Sequence, residues 1–137
     1  TGDTARAGAQ KIDANFRNLF RFSVPAAAMV GRTTSGAEAQ TRELATNKIM
    51  VQEFLFDPTT AEYVQFSIKM PDSWTLGTMT AKFVWSHPAT SSNFGVVWKI
   101  QAVAIGNDDA MDAAFGTAVQ ILDTGGTTDD LAHGGAT

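Results

Sequence analysis

Few side chains in the sequence are grouped in a way that suits catalysis or metal binding. One acidic group lies at 107–112, where Asn107, Asp108, Asp109 and Asp112 offer the oxygen ligands that a calcium site requires. The spacing lacks the bidentate Glu of an EF-hand loop, and such residues are typical of a turn that caps a short helix. We therefore favour a turn followed by a helical turn over 110–115, with Asp108, Asp109 and Asp112 as weak metal candidates.

Other carboxylates fall on either side of predicted turns. Glu53, Asp57 and Glu62 flank the first predicted hairpin, and paired carboxylates are what glycoside hydrolysis requires. No aromatic platform for a sugar is evident around them, so a hydrolase is disfavoured. Asp129 and Asp130 follow two threonines and indicate a polar, exposed turn rather than an acid–base pair.

The two histidines and the missing cysteines further restrict the chemistry. His87 and His133 lie in separate predicted loops without a third metal ligand or an activated nucleophile nearby, and we expect both to be exposed to solvent. The chain has no Cys, which excludes disulfides, thiolate metal sites and thiol catalysis. Walker, GxGxxG, GxSxG and HExxH motifs do not occur. The sequence therefore predicts a protein that is not an enzyme and needs no cofactor.

Three tryptophans are the remaining candidates for ligand contact, because aromatic faces stack on sugar rings. Trp85 and Trp98 lie on apolar faces of alternating segments and are expected in the core. Trp74 adjoins a turn, and we single it out as the candidate for exposure and glycan contact.

The first predicted element of the chain is an amphipathic helix. Asp3 or Thr4 can cap a helix over 3–21. Its apolar side chains recur every three or four residues and form a narrow stripe, which cannot fold alone and must lie on another surface. The predicted docking contacts on this stripe are Ile12, Phe16, Leu19 and Phe20.

Downstream of this helix the sequence period changes. Residues 23–47 contain Pro, Gly, Ala and Thr with weak periodicity and predict an extended linker. At the end of this linker, 43–48 is predicted to be a turn or a strand lead-in. From residue 48 the period is two, with strands predicted over 48–56, 63–70, 79–86, 94–105 and 117–123. We thus expect a docking helix at 1–22, a linker at 23–47 and an antiparallel β-sandwich domain at 48–137.

Charge is distributed unevenly along the chain, whose net charge is −4. Residues 1–48 have seven basic and four acidic residues, a local +3, whereas 49–137 have three basic and ten acidic residues, a local −7. An acidic main body argues against nucleic-acid binding, which needs a basic face. No apolar run is long enough for a membrane span, and the first residues lack the order of a signal peptide.

The segment GDTARAGAQKIDANFRNLF (2–20) resembles a short N-terminal pattern in tailed-phage structural proteins, including tail fibres and spikes. There, a GDT start and an alanine-rich turn precede a KINANF run, in which Asp13 here replaces the usual Asn. This resemblance implies an appendage protein that is anchored through its N-terminal segment.

The stretch from Pro25 to about Asp130 also resembles a module of phage and prophage virion proteins. Its hallmarks here are AMVGRTT (28–34), ATNKIMVQEFLFD (45–57), FSIKMPDSW (66–74), FVWSHPAT (83–90), GVVWKIQAVAIGNDDAMDAAFG (95–116) and DTGGTTDDL (123–131). The resemblance implies a jelly-roll-like β-sandwich that works as a homotrimer on the virion surface. The family continues past DDL into further strands, whereas this sequence has AHGGAT, so we expect a sandwich that is incomplete or completed by another chain.

Together these observations predict a virion structural protein, foremost a tail fibre, spike or adaptor-type component in contact with tail, collar, portal or capsid proteins. Two alternatives remain open. A capsid decoration protein would bridge capsid subunits, and a carbohydrate-binding module would attach to a host surface glycan.

Overall fold

The computed structural model describes residues 21–87 and 94–125, and the backbone of 132–133. These residues form mainly short strands, with a single 3-10 turn at Ala26–Ala28. The strands are β1 (Val30–Gly31), β2 (Glu38–Glu43), β3 (Met50–Leu55), β4 (Val64–Gln65), β5 (Val84–Trp85), β6 (Gly95–Ile100), β7 (Val119–Thr124) and β8 (Ala132–His133). The predicted β-rich class is confirmed, while the predicted N-terminal helix lies outside the described residues.

The described strands pair into four two-stranded antiparallel sheets: β1 with β4, β2 with β3, β5 with β8, and β6 with β7. The chain divides into two compact units, unit 1 (Thr1–Met70) and unit 2 (Pro71–Thr137). Each sheet lies within one unit: β1–β4 and β2–β3 in unit 1, β5–β8 and β6–β7 in unit 2.

In unit 1 the β2–β3 hairpin is the main element. Its register runs from Glu38 opposite Leu55 to Glu43 opposite Met50. The N–H of Leu44 donates to the carbonyl oxygen of Ile49 at 2.8 Å and closes a four-residue turn. Lys48 completes this turn with a φ of 58°, the left-handed conformation that non-glycine residues seldom adopt.

This hairpin differs from the extended linker that was expected over 23–47. β1 and all of β2 lie within that segment, and β2 pairs along its whole length with β3. The weak sequence periodicity of 38–43 is explained by exposure, because five of its six side chains face solvent and give no alternating apolar signal. A boundary at residue 48 therefore falls inside the hairpin.

In unit 2 the β6–β7 pair is the longest ribbon. Its register runs from Gly95 opposite Thr124 to Ile100 opposite Val119. The segment 101–118 joins the two strands, and it contains no helix, so the helical turn expected over 110–115 is wrong. Asp108 adopts a φ of 65° there, which fits a turn and not the capped start of a helix.

The predicted strands are observed with different lengths. Three of them, over 48–56, 94–105 and 117–123, correspond to the six-residue strands β3, β6 and β7. The predictions over 63–70 and 79–86 leave only β4 and β5, of two residues each. Strand backbone persists only where a neighbouring strand accepts and donates hydrogen bonds, and within the described residues both segments meet very short partners.

Candidate assembly surface

Unit 2 is organised around five aromatic rings that we call the aromatic cluster: Phe83, Trp85, His87, Phe94 and Trp98. The Trp85 ring lies 5.7 Å from His87, 6.2 Å from Phe94 and 6.0 Å from Trp98, measured between ring centroids. Phe83 stacks on Trp98 at 5.6 Å, and Phe94 meets His87 edge-on at 4.7 Å. Aromatic quadrupoles favour stacked, tilted and edge-to-face arrangements at these distances, so the cluster fixes β5 against β6.

A hydrogen bond joins the aromatic cluster to β7. The Trp85 Nε1–H donates to Oδ2 of Asp123 at 2.9 Å, between side chains that are both partly buried. Because Asp123 lies opposite Val96 in the β6–β7 register, this bond fixes β5 to the far strand of the ribbon. The aromatic cluster therefore determines which face of the ribbon is covered.

The covered face follows the strand alternation. Val96 and Trp98 on β6 are half-buried, as the period-two pattern of 94–105 predicts for its apolar side. On β7, Ile121 and Asp123, which lie opposite them in the register, are half-buried as well. Both tryptophans expected in the core, Trp85 and Trp98, lie here, although neither is fully buried.

The opposite face of the ribbon is open. Val97 and Leu122 lie directly opposite each other in the register, and their side chains are 50% and 71% exposed. The next pair along this face, Lys99 and Gln120, is also exposed. An apolar pair between polar neighbours is thus presented to solvent at the centre of the ribbon.

Exposed apolar side chains extend well beyond this pair. Among the described residues only Ala37, His87 and Gly125 are buried, and no large side chain is fully buried. A stable domain normally buries most of its Leu, Ile, Val, Phe and Met side chains. The exposed ones in unit 2 are Leu76, Met79, Val84, Val97, Ile105, Met111, Phe115, Val119 and Leu122, and those in unit 1 are Phe22, Val30, Ile49, Met50, Leu55, Phe56, Tyr63, Phe66 and Ile68.

Unit 1 relies more on charged contacts. Arg42 and Glu53 form a two-pronged ion pair across the hairpin, with Nε–Oε1 at 2.8 Å and Nη2–Oε2 at 3.4 Å. The two side chains are 32% and 19% exposed, so the pair is partly shielded from water. The guanidinium of Arg32 lies 3.9 Å from the centroid of the Tyr63 ring, a cation–π contact between the β1 and β4 segments.

The carboxylates considered for hydrolysis are each engaged in local contacts. Glu53 pairs with Arg42, and Glu62 Oε2 accepts from the backbone N–H of Asp57 at 2.7 Å. Asp57 Oδ1 accepts from both the hydroxyl and the backbone N–H of Thr59 at 2.6 Å. These bonds from Thr59 lower the pKa of Asp57 below its ordinary value of 3.8. Asp57 and Glu62 do line an open depression together with Glu38, Leu55, Phe56 and Pro58.

The weak metal candidates lie in an exposed turn. Asp109 Oδ2 accepts from the N–H of Gly106 at 2.7 Å, and Asp108 Oδ2 accepts from Nδ2 of Asn107 at 2.8 Å. Asp112 is exposed nearby in sequence. Within residues 21–87 and 94–125, no three acidic or histidine side chains are grouped as a metal site needs. The carboxylates of Asp108 and Asp109 thus act as hydrogen-bond acceptors for their own turn.

Trp74 and the predicted docking residues are the remaining candidates from the sequence. Trp74 is half-buried, and its backbone N–H donates to the carbonyl oxygen of Pro71 at 2.9 Å in a turn. Whether it contacts a glycan stays a prediction. The docking residues fall outside the described part of the chain; they are Ile12, Phe16, Leu19 and Phe20.

His87 corrects an expectation. The sequence predicted a solvent-exposed loop histidine, whereas its side chain is only 7% exposed and lies against Trp85 and Phe94. The available signal was local, because Trp85 precedes His87 by two residues and so shares its face of an extended chain. Sequence reasoning also missed Leu122, because exposure of a strand residue depends on the neighbouring elements.

The described residues contain no helix long and apolar enough to cross a membrane. Comparison with protein-family models, with curated proteins and with solved structures finds no match to this chain.

Proposed function

We propose that this chain is a structural component of a bacteriophage virion, foremost of a tail fibre, spike or adaptor-type appendage. The observation that supports this most directly is the large number of exposed apolar side chains in both units, with only three buried residues among those described. Such surfaces are typical of chains whose core is completed by neighbouring subunits. The resemblance of residues 2–20 and 25–130 to phage virion proteins is the reason for proposing that this assembly is a virion.

In this proposal the small antiparallel sheets are parts of a jelly-roll-like sandwich that is completed within a homotrimer. Two-stranded sheets are marginally stable alone, and pairing or packing with further strands supplies the missing stabilisation. Residues 49–137, in which acidic residues outnumber basic ones, form the displayed module. The N-terminal segment 1–22, which belongs to the basic part of the chain, docks on other virion proteins.

The docking step is tested with the double variant Phe16→Ala/Leu19→Ala. We expect it to be lost from purified virions, because removal of two large apolar contacts weakens an interface by several kcal/mol, of the order of 2–4 for each hot-spot residue. The matched control is Asn15→Ala/Asn18→Ala, which changes polar neighbours in the same segment and is expected to assemble normally. Amounts are measured by quantitative mass spectrometry of particles.

Normal incorporation of the Phe16→Ala/Leu19→Ala chain would refute docking through this stripe. Cryo-electron microscopy of the wild-type particle then separates the alternatives. A few copies on the tail or collar support the appendage, and copies spread over the capsid lattice indicate a decoration protein instead. Absence from the particle refutes the virion proposal and favours a free glycan-binding module.

A further inference from the structure

The β6–β7 ribbon has two outer edges, whose open backbone groups can be identified from the register. The N–H of Gly125 donates to the carbonyl oxygen of Phe94 at 3.0 Å, which makes Phe94 and Gly125 a hydrogen-bonded pair. Hydrogen-bonded and non-hydrogen-bonded pairs alternate along an antiparallel ladder. The backbone groups of Gln120, Leu122 and Thr124 on β7 therefore point away from β6, and those of residues 95, 97 and 99 on β6 point away from β7. The N–H of Thr124 already donates to Oδ1 of Asp123 at 2.9 Å, so the open N–H groups of the β7 edge are those of Gln120 and Leu122.

These two edges differ in charge. The outward positions on β6 include Lys99, and an exposed lysine on an edge strand opposes pairing with another chain. The outward positions on β7 have neither a charged side chain nor Pro, and the central one is Leu122 with 71% exposure. No described strand pairs with this β7 edge. Of the two edges, β7 is thus the one available as a pairing template.

We propose that the outer edge of β7 pairs antiparallel with β7 of a second copy of this chain, about a two-fold axis beside Leu122. This proposal deepens the proposed function, on which it rests, by naming the partner of one surface. A two-fold contact is compatible with a trimer, because it joins one trimer to the next.

The sequence of β7 is self-complementary in this arrangement. Leu122 lies opposite Leu122 of the partner subunit, and Gln120 lies opposite Thr124 of the partner subunit. On the covered face Ile121 lies opposite Asp123 of the partner subunit, so no like charges are directly opposed. Val97 and Leu122 then form one apolar row over four strands with Leu122 and Val97 of the partner subunit. In this row Leu122 has an apolar neighbour on each side, Val97 on one and Leu122 of the partner subunit on the other.

The absence of natural cysteine makes a direct test possible. In Leu122→Cys the two introduced thiols lie opposite each other with Cα atoms roughly 5.5 Å apart, within the range for a disulfide. The matched control is Val97→Cys, its partner on the same face, for which the two Cα atoms are roughly 14 Å apart, too far for a disulfide. We expect mild oxidation of the purified full chain to give covalent dimers of Leu122→Cys in at least tenfold excess over Val97→Cys.

Equal cross-linking of both variants, or a Leu122→Cys chain that stays uncross-linked, would overturn the proposal. A second pair of variants tests the edge without thiols. Gln120→Pro and Lys99→Pro remove outward-facing N–H groups from facing positions on the two edges, and neither group bonds within the ribbon. We expect Gln120→Pro to weaken self-association at least tenfold in sedimentation and Lys99→Pro to leave it unchanged, and the reverse order would refute β7 pairing.

These measurements use the purified chain, so they are separable from the virion tests. Specific Leu122→Cys dimers from a chain that is absent from virions would support the edge contact and refute the proposed function. Virions that contain the chain, combined with unspecific cross-linking, would refute the edge contact alone.

Discussion

The two six-residue ribbons, β2–β3 in unit 1 and β6–β7 in unit 2, have the same antiparallel geometry but are specified differently. The β2–β3 ribbon is closed by a four-residue turn, and one of its faces has the Arg42–Glu53 ion pair. The β6–β7 ribbon is joined by the segment 101–118 and fixed by the aromatic cluster, with Trp85 bonded to Asp123. Local turn chemistry and a charge pair define the first ribbon, whereas ring contacts distant in sequence define the second.

The two ribbons are therefore sensitive to different substitutions. A turn that forms locally needs little from the rest of the chain, so single changes near the β2–β3 ribbon should have modest effects. The β6–β7 ribbon depends on one central ring, Trp85, which contacts three others. Two sets of variants test this contrast, and a third concerns the segment that follows β3. They are given in order of decreasing expected effect.

Trp85→Ala should destabilise the β6–β7 ribbon by about 3 kcal/mol, at the low end for Trp truncation because the ring is only half-buried. Hydrogen exchange with mass spectrometry should show faster exchange in 95–100 and 119–124, and unchanged exchange in 38–43 and 50–55. Trp85→Phe keeps a ring and removes the bond to the Asp123 carboxylate, which should cost about 1.5 kcal/mol, the low end for a charged acceptor because both side chains are only partly buried. Equal loss of protection in both ribbons would contradict the comparison.

Arg42→Ala should destabilise the β2–β3 ribbon by about 1 kcal/mol, because it leaves the partly buried Glu53 carboxylate without its guanidinium partner. The effect should shrink in 1 M salt, where the Debye length falls to about 3 Å. Lys99→Ala on β6, an exposed change on the other ribbon, should stay within about 0.5 kcal/mol. Urea unfolding followed by circular dichroism measures both, and a salt-independent loss in Arg42→Ala would indicate packing instead of charge.

The smallest effect concerns Asp57, whose pKa is lowered by the hydroxyl and backbone N–H of Thr59. Because the folded-state pKa lies below the unfolded one, the associated stabilisation is present above the unfolded pKa and is lost as pH falls through the folded pKa. Thr59→Ala should raise the pKa of Asp57 towards 3.8. Thr60→Ala, which keeps the Thr59 contacts, should leave it lowered. Carboxyl carbon NMR titration distinguishes the two, and identical titration curves would assign the shift to another cause.

Sequence periodicity predicted β3, β6 and β7 because their alternating side chains differ in burial on the two faces. It did not predict β2, whose side chains are almost all exposed, nor the pairing of β5 with β8, which joins residues distant in sequence. The helical turn at 110–115 failed because capping residues are equally suited to turns. For the candidate surface, the alternation along β6 correctly placed Val97 and Trp98 on opposite faces of the strand. The exposure of Leu122 could not be predicted in this way, because it depends on the register of β7 with β6.

The pairing of β5 (Val84–Trp85) with β8 (Ala132–His133) has a consequence for synthesis of the chain. Translation proceeds at about 5–20 residues per second, so about 2–10 s separate the appearance of these two strands. The β2–β3 hairpin is already complete by then and closes within about 1–10 μs. Trp85 has no β8 backbone as a partner during this interval, and it has no Asp123 carboxylate for most of it, because Asp123 is synthesised shortly before β8. We therefore expect ribosome-bound chains to expose an aromatic strand edge for seconds, until the strands that cover it have been synthesised.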